Sequence, residues 1–211
     1  MTILRTALVA ATLCACAARA ASLEVRVRDA AGAPVPDAAV YAVPASGPSD
    51  ARNPKVVAIE QVEREFVPYM TVVQVGTRVS FPNRDPIQHH VYSFSPAKPF
   101  EIKLYSGNSP EVLLDRPGLV TLGCNIHDWM IGYMVVVPTP HFGRTDATGV
   151  VRLRDLPGGT YEVRAMHPNQ RAAAAAQTTA LEASAAASAS FVLDTVPRKP
   201  RYKPPLDRGR Y

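Results

Sequence analysis

Apolar and polar residues alternate along much of this chain with the two-residue period of half-buried strands, and long helical periodicity is lacking. From residue 23 the text reads LEVRVRDAAGAPVPDAAVYAVP. Leu23, Val25 and Val27 face one way, charged residues face the other, AAGAP turns the chain and 39–43 forms a second short strand, which together predict a hairpin. Further on, RTDATGVVRLRDLPGGTYEVRAMHP repeats the pattern: Val151 and Leu153 alternate with Arg152 and Arg154, a turn follows at 157–159, and 161–165 reads as the partner strand of a second hairpin. Between these two regions, VVQVGTRVSFPN, HHVYSFS, PFEIKLYSG, GLVTLGC and IGYMVVVP are short β-type runs within residues 56–138. Their length and spacing predict a small Greek-key sandwich.

Two segments break the alternation. The run RAAAAAQTTALEASAAASAS has high helix propensity, yet it reads as a flexible low-complexity turn into a last strand, ASASFVLD, which would finish a sheet with the two hairpins. The first twenty residues combine an early Arg5, an apolar run over 7–18 and Ala18 and Ala20 before Ala21. That is the pattern of a secretory signal with Ala-x-Ala cleavage, and the run is too short to be a stable membrane span. A lipid anchor on Cys16 fits less well, because Cys14 sits badly in the required motif. The expected compartment is the periplasm.

Composition sharpens this picture at one point. The chain has three cysteines, and signal cleavage removes Cys14 and Cys16. Cys124 is then alone in an oxidising compartment and cannot form an internal disulfide, so it is a buried thiol, an intermolecular partner or a ligand. Of the formal charge of +5 in 211 residues, +2 belongs to the signal and +5 to the tail at 197–211, PRKPRYKPPLDRGRY, leaving −2 in the body. The basic character therefore describes a tail that reads as disordered, and gives no sign of a nucleic-acid-binding face.

The candidate chemistry sits in CNIHDWM, residues 124–130, which falls between the last two predicted strands of the 56–138 region. Thiolate, imidazole and thioether at every third position are soft donors that favour copper, and Cys plus two His with a weak axial Met is the donor set of blue-copper electron-transfer sites. The second histidine must come from elsewhere, with His89 and His90 as candidates. Met134 lies within the last strand and reads as core filler, Trp129 as a packing cap over the loop, and His141 and His167 as ordinary loop residues. Cys124 and His127 as a nucleophile and base would lack an orienting acid other than Asp128 and would leave Met130 unexplained.

Two resemblances follow from these residues. The lines VGTRVSFPNRDPIQHHVYSFS and RPGLVTLGCNIHDWMIGYMVVV resemble the plastocyanin and amicyanin pattern of the cupredoxins over about eighty residues, with the short C-x-x-H-x-x-M spacing of the amicyanin form. The resemblance implies Cys124 as thiolate, His127 as second imidazole and Met130 as axial thioether of one copper ion. The gap-free match from Asn83 favours His89 as the first imidazole; Gln88 replaces the usual Pro, and His90 is the alternative, otherwise expected to hydrogen-bond beside the site. Separately, DAAGAPVPDAAVYA and TDATGVVRLRDLPGGTYEVRAMHP resemble the start and later strands of the carboxypeptidase regulatory-like β-sandwich. The implied organisation is all-β: a signal peptide at 1–20, a regulatory-like sandwich split into 22–50 and 141–196, a cupredoxin domain at 56–138 inserted in its loop, and the tail.

Chains with this combined pattern often carry the label methylamine utilization protein. The resemblance implies a blue copper protein that is not an enzyme and passes one electron, cycling Cu(II) and Cu(I), to and from a protein redox partner through the surface edge of His127. A copper carrier without electron traffic, and a partner-binding β-sandwich with a secondary metal site, are the alternatives. A multicopper oxidase would need a second cluster of histidines, and the chain has five histidines in all.

Overall fold

The computed structural model describes residues 21–48, 56–182 and 185–196; the expected signal segment and basic tail lie outside them. Every element assigned among the described residues is a strand, so the fold is all-β, and no described helix is long and apolar enough to cross a membrane.

The first strands are β1 (Ala21–Arg28) and β2 (Ala39–Pro44). Leu23, Val25 and Val27 of β1 point into a core, as their alternation requires, while Arg26 and Arg28 stay in solvent. The two strands do not form the expected hairpin. They lie in different sheets, facing each other across the core, because β1 pairs with later strands on both sides. Alternation fixes which face is buried, and it is the same for a hairpin and for an arch between two sheets.

Residues 56–137 follow as ten strands: β3 (Val56–Ala58), β4 (Glu60–Val62), β5 (Glu65–Val67), β6 (Met70–Gln74), β7 (Arg78–Ser80), β8 (His89–Ser93), β9 (Phe100–Tyr105), β10 (Val112–Leu113), β11 (Gly118–Gly123) and β12 (Ile131–Val137). A five-stranded sheet in the order β6-β12-β11-β8-β9 packs over a three-stranded sheet β10-β7-β3. Phe81, Val91, Leu114, Val120, Leu122 and Met134 are among the apolar residues between them. Each such side chain taken out of water contributes about 1.5–3 kcal/mol before the entropy of ordering it. A separate two-stranded hairpin, β4–β5, had no counterpart among the strands read from sequence.

The remaining strands are β13 (Phe142–Arg144), β14 (Val150–Leu156), β15 (Gly159–Met166), β16 (Ala175–Leu181) and β17 (Ala186–Val192). Strands β14 and β17 flank β1, antiparallel and parallel respectively, and β2 lies between β13 and β15, with β16 beyond. The expected second hairpin is thus also an arch, β14 and β15 belonging to opposite sheets. The alanine-rich segment, read as a flexible turn, supplies β16, which pairs in register with β15 from Gly159↔Leu181 to Ala165↔Ala175. Backbone pairing along a sheet edge outweighs the intrinsic preference of alanine for helix. Leu23, Val25, Val40, Leu153, Val163 and Phe191 lie in the core between these two sheets.

A third apolar cluster joins the two cores. Tyr41 and Ala39 of β2 meet Met70 of β6 and Val135 and Val137 of β12, all buried.

Candidate metal centre

The ligand candidates are delivered by three pieces of backbone. Strand β8 opens with His89 and His90, and its alternation turns His89 inward and His90 outward. Cys124 directly follows β11, and the turn 124–130 carries the chain into β12. Within that turn the Met130 amide donates to the His127 carbonyl at 2.8 Å, so His127 and Met130 are held by a local backbone bond.

The donor atoms converge. Cys124 Sγ lies 3.7 Å from His89 Nδ1 and 3.6 Å from His127 Nδ1, and one donor atom from each of the three residues falls within 4.8 Å of the others. An ion about 2.3 Å from a thiolate and about 2.0–2.1 Å from imidazole nitrogens in a trigonal plane would hold S and N about 3.7–3.8 Å apart. The site therefore fits such an ion with little rearrangement. Its donors are also dry: His89 is 0% exposed, His127 2% and Cys124 3%. Met130, 1% exposed, belongs to the same core cluster as Cys124, brought there by the turn it shares with the thiol. Among the described residues this is the one group of three His, Cys, Asp or Glu with metal-ligand spacing.

His90 is not brought into the cluster. Its Nε2 lies 3.0 Å from Glu101 Oε1 of β9, and its ring meets Tyr92 edge-on at 6.0 Å on the outer face of the sheet. His141 and His167 lie in the other sandwich, at positions away from the three donors, with His141 edge-on to Tyr161.

Sequence reasoning missed the residue that orients His89. Asp85 Oδ2 is 2.7 Å from His89 Nε2, so a proton on Nε2 shared with this carboxylate leaves the Nδ1 lone pair facing Cys124. Asp85 is itself anchored. Its Oδ1 accepts from the Glu63 amide at 2.6 Å, and its Oδ2 from the Arg64 amide at 2.8 Å. Those two residues form the tip of β4–β5, both with positive φ, as a two-residue type I′ turn demands. Asn83 completes the loop, donating to the Ile87 and Tyr105 carbonyls at 2.7 and 3.2 Å and accepting from the Asp85 amide at 2.9 Å. The only sequence signal was Asp85 four residues before His89, within a text otherwise read for its histidines.

The β4–β5 hairpin continues over the turn. The Arg64 guanidinium lies 5.8 Å over the Trp129 ring, and Trp129 lies 5.2 Å from the His127 ring. Beneath the hairpin, Phe66 covers Gly132 so closely that a Cβ there would sit 2.8 Å from Phe66 Cβ. This cover accounts for a departure from the expected surface edge: His127 is buried. Burial first, then the nearby His89 and Arg64, push its imidazole down to about 4, with Asp85 opposing. A neutral His127 keeps a lone pair for a metal at ordinary pH.

No family model matches the chain, and no curated protein matches it. Among solved structures it is similar to a Cu-containing nitrite reductase from Thermus scotoductus SA-01, at 24% identity over 44% of this chain and 25% of that one, with a TM-score of 0.38. It is similar also to a purple cupredoxin from Nitrosopumilus maritimus (20% identity, 39% and 98% covered, TM-score 0.34). A third is a point mutant of amicyanin in its reduced Cu(I) form (16% identity, 46% and 98% covered, TM-score 0.37). The chain spans about a quarter of the length of the nitrite reductase it matches.

Proposed function

We propose that this protein is a cupredoxin-like, mononuclear blue copper protein that carries one electron between protein partners in the periplasm. The observation that carries the reading is the convergence of Cys124 Sγ with the Nδ1 atoms of His89 and His127, all three side chains buried. Cys124 is the thiolate ligand, His89 and His127 are the imidazole ligands, and Met130 is the weak axial thioether; bound copper supplies a one-electron couple. Burial of all three donors favours retention of the ion over its delivery, which is why we read an electron carrier and not a copper courier. The organisation we propose is a cupredoxin domain over 56–138 within a regulatory-like sandwich built from 22–50 and 141–196.

The test is spectroscopic. Protein produced in periplasmic form and given Cu(II) is expected to bind one equivalent and show an intense thiolate-to-copper visible band, absent in Cys124→Ser. Stoichiometric binding without that band would sink the blue-copper reading. His89→Ala is expected to abolish the band and His90→Ala to retain it; the reverse result would exchange their roles.

A further inference from the structure

An open sheet ends in two edge strands, and each edge leaves backbone N–H and C=O groups free to take a further strand unless it is short, charged or covered. Among the described strands, most edges are guarded in one of these ways. Strands β3, β4, β5, β10 and β13 have three residues or fewer. Strand β9 carries Glu101 and Lys103, β14 carries Arg152, Arg154 and Asp155 beside a register shift, and β6 is buried along nearly its whole length. The exceptions share one side of the sandwich that contains β1 and β2. There both sheets end, in β16 (AAQTTAL) and β17 (AASASFV), seven residues each, without a charge or a proline. Strand β16 follows β15 in unbroken register, and about half of its residues turn their N–H and C=O groups to the open side.

We propose that β16 pairs with β16 of a second copy of this chain, antiparallel about a two-fold axis through Thr178, so that the protein is a dimer. The strand is self-complementary in that register. Thr178 meets its own counterpart, Gln177 meets Thr179, Ala176 meets Ala180 and Ala175 meets Leu181, so no charges oppose and no two bulky side chains collide. The faces match as well: Ala176, Thr178 and Ala180 are exposed and meet one another, while Gln177 and Thr179 are both half-buried. The four-stranded sheet then continues into eight strands, and the β17 edges of the two copies lie alongside each other. Area sets the strength of this contact. An edge of seven residues is about 23 Å long, and two sheets packed about 10 Å apart make it about 20 Å deep, so the pair covers about 900 Å² in all. That lies at the small end for a specific interface, and implies association at micromolar and not nanomolar concentration. The inference does not depend on the copper reading.

Sedimentation equilibrium of the metal-free protein is expected to show a monomer–dimer equilibrium in the micromolar range. Thr178→Lys sets two ammonium groups against each other at the axis and is expected to raise the dissociation constant at least about tenfold. The register has its own readout. In a Cys124→Ser background, Thr178→Cys is expected to form an intermolecular disulfide on mild oxidation, because directly opposite residues stand about 4.5–5.5 Å apart at Cα, within a disulfide's span. Ala176→Cys, about 14 Å from its counterpart in that register, is expected to stay unlinked. A single monomeric species at every concentration, which would leave the edge to a strand of another protein, would overturn the proposal. So would linkage through position 176 in preference to 178, or a dimer that a natively folded Thr178→Lys leaves unweakened.

Discussion

Asp85 is the residue on which most of the site's geometry turns. One carboxylate accepts two backbone amides from the β4–β5 tip and holds His89 Nε2, so the orientation of His89 and the cover over His127 depend on the same group. Asp85→Asn retains one acceptor oxygen for three contacts; its copper affinity is expected to fall by about 10–100-fold in a chelator competition titration. An unchanged affinity would mean that packing alone orients His89. His127 gives a pH signature. Its folded pKa of about 4 lies below the ordinary 6.5, so between these values the unfolded chain binds more protons than the folded one. The stability this group allows is complete above about 6.5 and is lost as pH falls towards about 4. Denaturant midpoints of the metal-free protein are expected to decline through that window, with a shallower decline in His127→Gln. The sequence exposed Cys124, His127 and Met130 because one short turn holds all three at fixed spacing. It could not expose the role of Asp85, whose amide donors come from a turn some twenty residues earlier, or the burial of His127 beneath that turn.

At the scale of elements, the strands were readable and their partners were not. The inward residues of β1 and β14 follow from alternation, but the chain arches from β1 to β2 and from β14 to β15 across the core, where hairpins were expected. A two-residue period reports which side of a strand is buried and contains nothing about which strand lies beside it. The β4–β5 hairpin escaped for a different reason: its strands are three residues each, and Glu63-Arg64 lacks the glycine or asparagine that usually marks a type I′ turn. Its conformation is held from outside, by Asp85 at the tip and by Phe66 against Gly132. Phe66→Ala is expected to cost about 3–5 kcal/mol in chemical denaturation, as for other buried phenylalanines. Gly132→Val, which drives a side chain into Phe66, is expected to cost about 1–3 kcal/mol and to raise protease cleavage within 60–67. A fully stable, protease-resistant Gly132→Val would show that the hairpin is not seated on β12. Gly149 makes the same kind of demand in the other sandwich: with φ of +73° and the Val27 carbonyl where a Cβ would stand, it fixes the Asp146–Gly149 turn beside β1.

At the scale of the whole molecule, the question is whether the two cores act together. The outer face of β6 and β12 and the outer face of β2 and β13 bury one another through Met70, Val135, Val137, Ala39 and Tyr41, and Arg144 of β13 donates to the Met70 carbonyl at 3.3 Å while pairing with Asp37 at 2.8 Å. Strand β12 thus serves both sides: Met134 and Val136 face the core that contains Cys124 and Met130, and Val135 and Val137 face the joint. Because β12 follows directly from the 124–130 turn, a firm joint would brace that turn and couple the candidate site to the sheets of β1 and β2. Val135→Asp places a carboxylate in the joint without touching the inner core, and burying that group unpaired costs several kcal/mol unless the two faces separate. The wild type is expected to melt in one calorimetric transition with the visible band lost in the same step. In the variant the transition is expected to split, the outer sandwich unfolding first and the band surviving into the second step. A single transition, merely shifted to lower temperature, would mean that 56–138 cannot stand apart from the strands around it, and that the two cores fold as one unit.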